Sequence, residues 1–239
     1  MKKFFAIAAM AAMLIACGDN GDDNKKPGPG NEPEEPQFVS AITIDGQFGD
    51  WAALDASKVV EATLPEGETK YGDLKKVKIY ADDLYIYVYY ESNEPDPASV
   101  YHIDLCINID NDEMTGGYAN VWSNAGVDYL IEGAVFNEGA FVEYGGEAFP
   151  WIGEIGAEGW SWDTAAVIAG ACKGMGTAAG YEIQVTRDML PLDFGASFTM
   201  GVGLSKDWGR SGLLPCNVIS EEDPNGLAPQ FNVTINYAE

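Results

Sequence analysis

Residues 101–117, YHIDLCINIDNDEMTGG, carry the pattern from which the fold can be read. Over the first ten residues Tyr101, Ile103, Leu105, Ile107 and Ile109 fall on one side, and His102, Asp104, Cys106, Asn108 and Asp110 on the other. A period of two with an apolar face is that of a half-buried β-strand. The strand runs into Asp110-Asn111-Asp112 and breaks at Thr115-Gly116-Gly117. The reading is a central strand of a β-sandwich with a polar rim rich in oxygen ligands.

Upstream, Lys75–Ala81 and Leu84–Glu91 read as a hairpin joined at Asp82-Asp83. Leu84, Ile86, Val88 and Tyr90 share one face, and Tyr85, Tyr87 and Tyr89 line the other. A tyrosine stripe is either a sugar platform or, more commonly, a sheet face packed beneath a second layer. A short strand is expected at Ile42–Ile44, inside AITIDGQFGDW, whose Trp51 would plug one end of the core. Downstream, strands are expected at Val127–Phe136, Phe141–Tyr144, around Trp160–Ile168, and at Tyr181–Thr186, Ser197–Leu204 and Gln230–Tyr237. The helix candidates are short, such as a single turn at Asp188–Leu190 cut off by Pro191. Nine or ten strands without a long helix predict an all-β fold, two antiparallel sheets packed face to face.

The chain has 239 residues, with 28 Gly and 12 Pro, which suits a turn-rich β domain. It carries 13 basic against 38 acidic residues, a net charge of −25. Such a field repels nucleic acid and disfavours polyanionic glycans, and leaves neutral ligands and divalent cations. Solubility alone is an equal reading of the acidity.

Residues 1–16 form a signal peptide: Lys2-Lys3, an apolar run from Phe4 to Ile15 too short to span a bilayer, then Leu14-Ile15-Ala16-Cys17. The last four resemble the lipobox of a bacterial lipoprotein, which makes Cys17 the lipidated residue. Loss of Lys2 and Lys3 with the leader takes the net charge to about −27. Residues 17–37 then form an acidic, Pro/Gly-rich tether without an apolar face. Asp19, Asp22 and Asp23 resemble the surface-export signal of Bacteroidetes-type lipoproteins, so the expected location is the outer membrane facing the cell exterior, with the periplasmic face as alternative. The folded domain is expected over 38–239.

Six stretches follow one another in order: IDGQFGDW, LYIYVYY, IDLCINIDNDEMTGGY, GVDYLIEG, YEIQVTRDMLP, and a W-x-x-x-G-x-L-P loop at Trp208–Pro215. This order resembles the carbohydrate-binding module family 9-like domain of the DOMON-like superfamily, over essentially all of 40–237. The resemblance implies a non-catalytic immunoglobulin-like or jelly-roll sandwich that binds sugar chain ends or soluble sugars beside structural calcium. Haem-binding and purely structural members also exist, so the fold alone does not assign a function.

Calcium accepts six to eight oxygens in loose geometry. Asn108, Asp110 and Asp112 alternate into a Thr-Gly-Gly turn, and Asp128 can join from the neighbouring strand; Asp45 and Asp50 are further carboxylates from the first motif. The alternative is an Asx-turn with solvated acids. For a sugar, stacking area plus a few orienting hydrogen bonds are needed. Trp122, Trp151, Trp160, Trp162 and Trp208 lie in turn-rich stretches where ligand contacts concentrate. His102, the single histidine, is a sheet residue, a ligand-binding group or a haem axial ligand. Met114, Met175, Met189 and Met200 are available as second axial groups, but none is spaced to pair with it, so haem is not expected.

Of Cys106, Cys172 and Cys216, at most one intramolecular pair can form. The two in Gly/Pro-punctuated stretches, Cys172 and Cys216, are the favoured pair, and Cys106 reads as a buried thiol. No G-x-S-x-G, H-E-x-x-H or phosphate-loop motif is present, and no enzyme is expected. The expectation is a lipid-anchored, non-catalytic protein that captures a neutral oligo- or polysaccharide, stiffened by calcium and set among other outer-membrane glycan-uptake proteins. A haem-binding protein and a structural or adhesion lipoprotein are the alternatives.

Overall fold

The computed structural model describes residues 40–117, 121–153, 159–161, 172–187 and 195–237. The leader, Cys17, the tether, Trp162 and the turn expected at Asp188–Leu190 lie outside them. Twelve strands occur among the described residues: β1 (Val60–Thr63), β2 (Leu74–Ala81), β3 (Tyr85–Ser92), β4 (Tyr101–Asn108), β5 (Tyr129–Asn137), β6 (Ala140–Phe141), β7 (Glu147–Pro150), β8 (Cys172–Thr177), β9 (Gly180–Thr186), β10 (Ser197–Lys206), β11 (Gly209–Leu214) and β12 (Phe231–Thr234). They form two antiparallel sheets. The first has the order β1-β2-β3-β9-β8. The second runs β11-β10-β4-β5-β6, with β12 also on β10 and β7 also on β5. The fold is the all-β sandwich expected from the sequence.

The apolar face of β4 points between the sheets. Leu105 stands opposite Val202 on β10 and Ile131 on β5, and Ile107 opposite Met200. Ile86, Val88 and Tyr90 of β3, with Ile183 and Val185 of β9, meet them from the first sheet in one buried cluster. Burial of this kind stabilises by roughly 25 cal/mol per Å² of apolar surface.

Three local expectations are corrected. Ile42–Ile44 is not a strand. Its stretch crosses the outer face of the first sheet, and its backbone hydrogen bonds go to side chains rather than to a ladder. Asp45 and Gly46 each donate an N–H to Glu182 Oε1 at 2.8 Å, and Thr43 donates to Asp50 Oδ2 at 2.9 Å. The short helix α1 (Asp50–Ala53) follows, and Trp51 packs over Tyr89 in a second apolar cluster outside the sheet. The tyrosine stripe is therefore a packed sheet face: Tyr87 and Tyr89 are buried beneath Ile42, Phe48 and Trp51.

Trp208–Pro215, expected as a loop, is mostly strand β11, and Trp208 sits in the turn before it. Finally, β4 is buried on both faces rather than one. The roof over the outward side of Cys106 is Trp122, seated on Gly201, where an added Cβ would stand 2.3 Å from Trp122 Cζ2. Trp122 Nε1 donates to the Pro215 carbonyl at 3.0 Å. Cys106 is the expected buried thiol, its pKa raised by burial. Cys216 is also a free thiol; the side chain of Cys172, its expected partner, lies outside the described residues.

Candidate ligand-binding face of the second sheet

Beyond Trp122, the outer face of the second sheet changes character towards the start of β4. The hairpin between β10 and β11 closes with Lys206 opposite Gly209, leaving Asp207 and Trp208 at the tip. Their φ angles are 50° and 69°, both left-handed. A two-residue turn with both centres at positive φ matches the twist of the flanking strands, but Asn-Gly is the usual occupant. Tryptophan there is an outlier costing about 1–2 kcal/mol. Asp207 is tied down through its N–H to the Val100 carbonyl and through Oδ1 from the Val100 N–H, both at 2.9 Å.

The strained residue is also the most exposed aromatic among the described residues, with 71% of its surface open. One ring face lies on His102, the centroids 4.1 Å apart and the planes 22° from parallel. Burial pushes the His102 pKa down, and the nearby Glu132 carboxylate opposes this only in part, so the ring under Trp208 is a neutral imidazole at pH 7. The structure thus brings together two of the sequence candidates, one on β4 and one in the β10–β11 turn, into one platform.

Beside the platform lies a carboxyl row that sequence reasoning missed. Asp104, two residues from His102 on the same face, is 4% exposed. It leans over Gly203, where a Cβ would stand 3.2 Å from its Oδ2, and Ser205 Oγ approaches the same oxygen at 3.4 Å. Directly opposite on β5 is Glu132, within hydrogen-bonding reach, and opposite Glu132 on β7 is Glu147. Arg210 flanks the row from β11. Asp104 Oδ1 and His102 Nδ1 are buried without a hydrogen-bond partner. Burial first, and Glu132 second, push the Asp104 carboxyl up to about 7 against the pull of Arg210. The small residues Gly201, Gly203 and Ser205 opposite β4 were the sequence signal that something bulky or polar lies over β10.

A pH dependence follows. An unfolded aspartic acid loses its proton at about pH 4, whereas folded Asp104 holds it to about 7. Between those values the folded state binds more protons, so this group's contribution is largest at low pH and declines as pH rises through the window. Asp104→Asn removes that decline. Relative to wild type, the variant should gain stability by up to about 1.4 kcal/mol per pH unit between about pH 4 and 7, then level off. Urea unfolding at a series of pH values measures this, and a gap independent of pH would mean that Asp104 titrates normally.

The other candidates gather at the opposite end of β4. Asp128 Oδ2 accepts from Ile109 N at 2.8 Å, Asp110 Oδ1 from Asp112 N at 2.8 Å, and Asp112 Oδ1 from Met114 N at 2.8 Å. Burial raises the Asp128 pKa, and Asp110 and Asp112 add to it. Asn108 is 1% exposed and its Oδ1 has no partner. Among the described residues no three His, Cys, Asp or Glu side chains are arranged to hold a metal ion. Next to this loop Met114, Asp128, Trp151 and Ile152 line an open cleft of about 670 Å³. Trp151 is half-buried and meets Trp160 edge-on at 5.0 Å.

Two tryptophans leave the set of exposed candidates. Trp122 is fully buried and Trp160 is 9% exposed, because each fills space beside glycines or another ring rather than facing solvent. No protein-family model matches this chain, and no curated protein matches it.

Proposed function

We propose that this is a non-catalytic, lipid-anchored carbohydrate-binding protein, with a domain of the family 9-like kind, that captures neutral glycans on the Trp208 platform. The observation that carries the reading is Trp208 itself: an exposed ring held in a left-handed conformation and backed by His102. Backbone strain of this size persists where the surroundings impose it, and such positions concentrate at ligand sites. The open ring face stacks on the C–H face of a pyranose. Glu132, Glu147 and Arg210 accept from and donate to its hydroxyls, and burial of the platform edge excludes water.

The close Asp104–Glu132 pair speaks against glycosidase chemistry, whose carboxyls stand about 5–5.5 Å or about 6.5–9.5 Å apart. Haem is the weaker alternative. His102 gives its ring to Trp208, Met200 faces the core, and Met175 lies against Gly46 on the other sheet. Anchoring through Cys17 on a tether of about twenty residues, on the outer membrane and facing outward, keeps the site near glycan-uptake partners at raised effective concentration. A glycan array probed with the mature chain tests the reading. Saccharide binding that survives in Trp151→Ala and disappears in Trp208→Ala supports it; absence of any saccharide leaves the structural or adhesion lipoprotein.

Calcium is proposed at the rim as an ion that would draw these oxygens together, since the carboxylates do not stand as a ready-made trio. Asn108 Oδ1, unpartnered and buried, with Asp110, Asp112 and Asp128, would hold the ion, which would offset their mutual repulsion and stiffen the loop. Thermal unfolding in millimolar calcium and in chelator checks this. At free calcium one hundred times Kd the gain is about 2.7 kcal/mol, and Asp110→Asn should abolish it. Coincident melting curves for wild type would remove calcium from the account.

A further inference from the structure

We propose, building on the sugar-binding reading of the Trp208 face, that beside neutral glycans it takes glycans bearing a free amine, and takes them more tightly, with the ammonium held against the Asp104–Glu132–Glu147 row. Three strands place these carboxyls side by side, since Asp104 pairs with Glu132 and Glu132 with Glu147 in register. Neighbouring strands lie about 4.8 Å apart and residues two apart on one strand about 7 Å. The row and the His102–Trp208 stack therefore fall within the span of one or two sugar rings.

A neutral hydroxyl needs one acceptor, whereas this row offers several and supplies few donors. Asp104 Oδ1 is buried and unpartnered beside Glu132, an arrangement that calls for a donor between the two carboxyls. A shared proton meets that need in the free protein. An ammonium meets it better, with three N–H donors and a charge that makes each hydrogen bond stronger. The exposed indole next to the row adds attraction for a cation over its face. Arg210 does not cancel the row. Its single charge flanks one end, on β11, while Glu132 and Glu147 continue away from it on β5 and β7.

The groups facing Asp104 are His102 on its own strand, Glu132 and Glu147 on β5 and β7, Ser205 on β10, and Arg210 on β11. With His102 neutral, an arriving ammonium displaces the proton of the carboxyl pair. Binding of an amine-bearing sugar should release a proton that binding of a neutral sugar does not.

Titration calorimetry of the mature chain with three β-1,4-linked trimers tests the proposal: glucosamine, N-acetylglucosamine and glucose, near pH 6 in buffers of different ionisation heat. The glucosamine trimer should bind at least about tenfold more tightly than the other two, with proton release and with a preference that shrinks as salt is added. Glu132→Gln should erase the preference and the proton release, so that the three trimers bind with like affinity. Equal affinity for the three trimers would overturn the amine preference and leave the sugar reading standing. No binding of any trimer, alongside an empty glycan array, would overturn both. Tight glucosamine binding that ignores Glu132→Gln and Trp208→Ala would assign the attraction to the acidic surface at large and overturn the site.

Discussion

Trp122→Ala should destabilise the protein by about 3–5 kcal/mol, the range for removing a fully buried large aromatic side chain. Trp122 has no exposed surface, and it roofs the outer side of β4 where Cys106 lies. Its indole N–H holds the Pro215 carbonyl, and its neighbour Ser123 donates to Ala228, so the ring pins the segment that returns to β12. Removing it leaves a cavity against the sheet and takes the donor from the partly buried Pro215 carbonyl. Urea unfolding should show a lower midpoint with an unchanged slope.

A double-mutant cycle gives the sharper result. Gly201→Ala alone would place a Cβ 2.3 Å from the ring and should also destabilise strongly. In the Trp122→Ala background the same methyl enters the vacated space, so the two effects should fall well short of adding. Additive losses would mean that the ring does not rest on Gly201. Saccharide affinity of Trp122→Ala at temperatures where it remains folded should match wild type, since the ring reaches no surface.

Trp208→Ala should do the opposite. Its removal relieves little or no burial, and the lost stack on His102 is worth about 0.5–1.5 kcal/mol. Relaxation of the left-handed strain is worth about 1–2 kcal/mol where glycine replaces it. Trp208→Ala should therefore lie within about 1 kcal/mol of wild type, and Trp208→Gly should equal or exceed wild-type stability. Affinity for a bound saccharide should fall at least about thirtyfold in both, the 2 kcal/mol expected of an aromatic anchor. Trp208→Tyr should retain part of it. Unchanged affinity in Trp208→Ala would move the platform elsewhere, Trp151 beside the rim cleft being the half-exposed indole left among the described residues.

The candidate site was readable in the sequence only as separate parts. His102 and Trp208 were both singled out, one by being the lone imidazole on a polar strand face and one by its place in a turn-rich motif. Their contact was not, because Asp207-Trp208 is a poor signature for a turn that needs two positive φ angles. Glu132 and Glu147 carried no individual signal among 38 acidic residues, nor Arg210 among 13 basic ones. They become a row only through the register of β4, β5, β7, β10 and β11, which is a property of pairing between distant segments. The five tryptophans looked alike in sequence. Whether each is roof, wedge or platform depends on glycines contributed by other strands, such as Gly201 under Trp122.

By itself the sequence determined the period of β4, its inward side and the β2–β3 hairpin, because side-chain alternation and turn chemistry are local. It also placed Asn108, Asp110 and Asp112 together, since a turn of a few residues cannot hold them far apart. The tertiary structure alone decided that the outer side of β4 is buried as well. It also decided that the first motif spans the tyrosine face through Glu182 instead of joining a sheet. Strand register, interlayer contact and the filling of glycine gaps are set by long-range packing, where the same local pattern is compatible with several partners and burial selects among them.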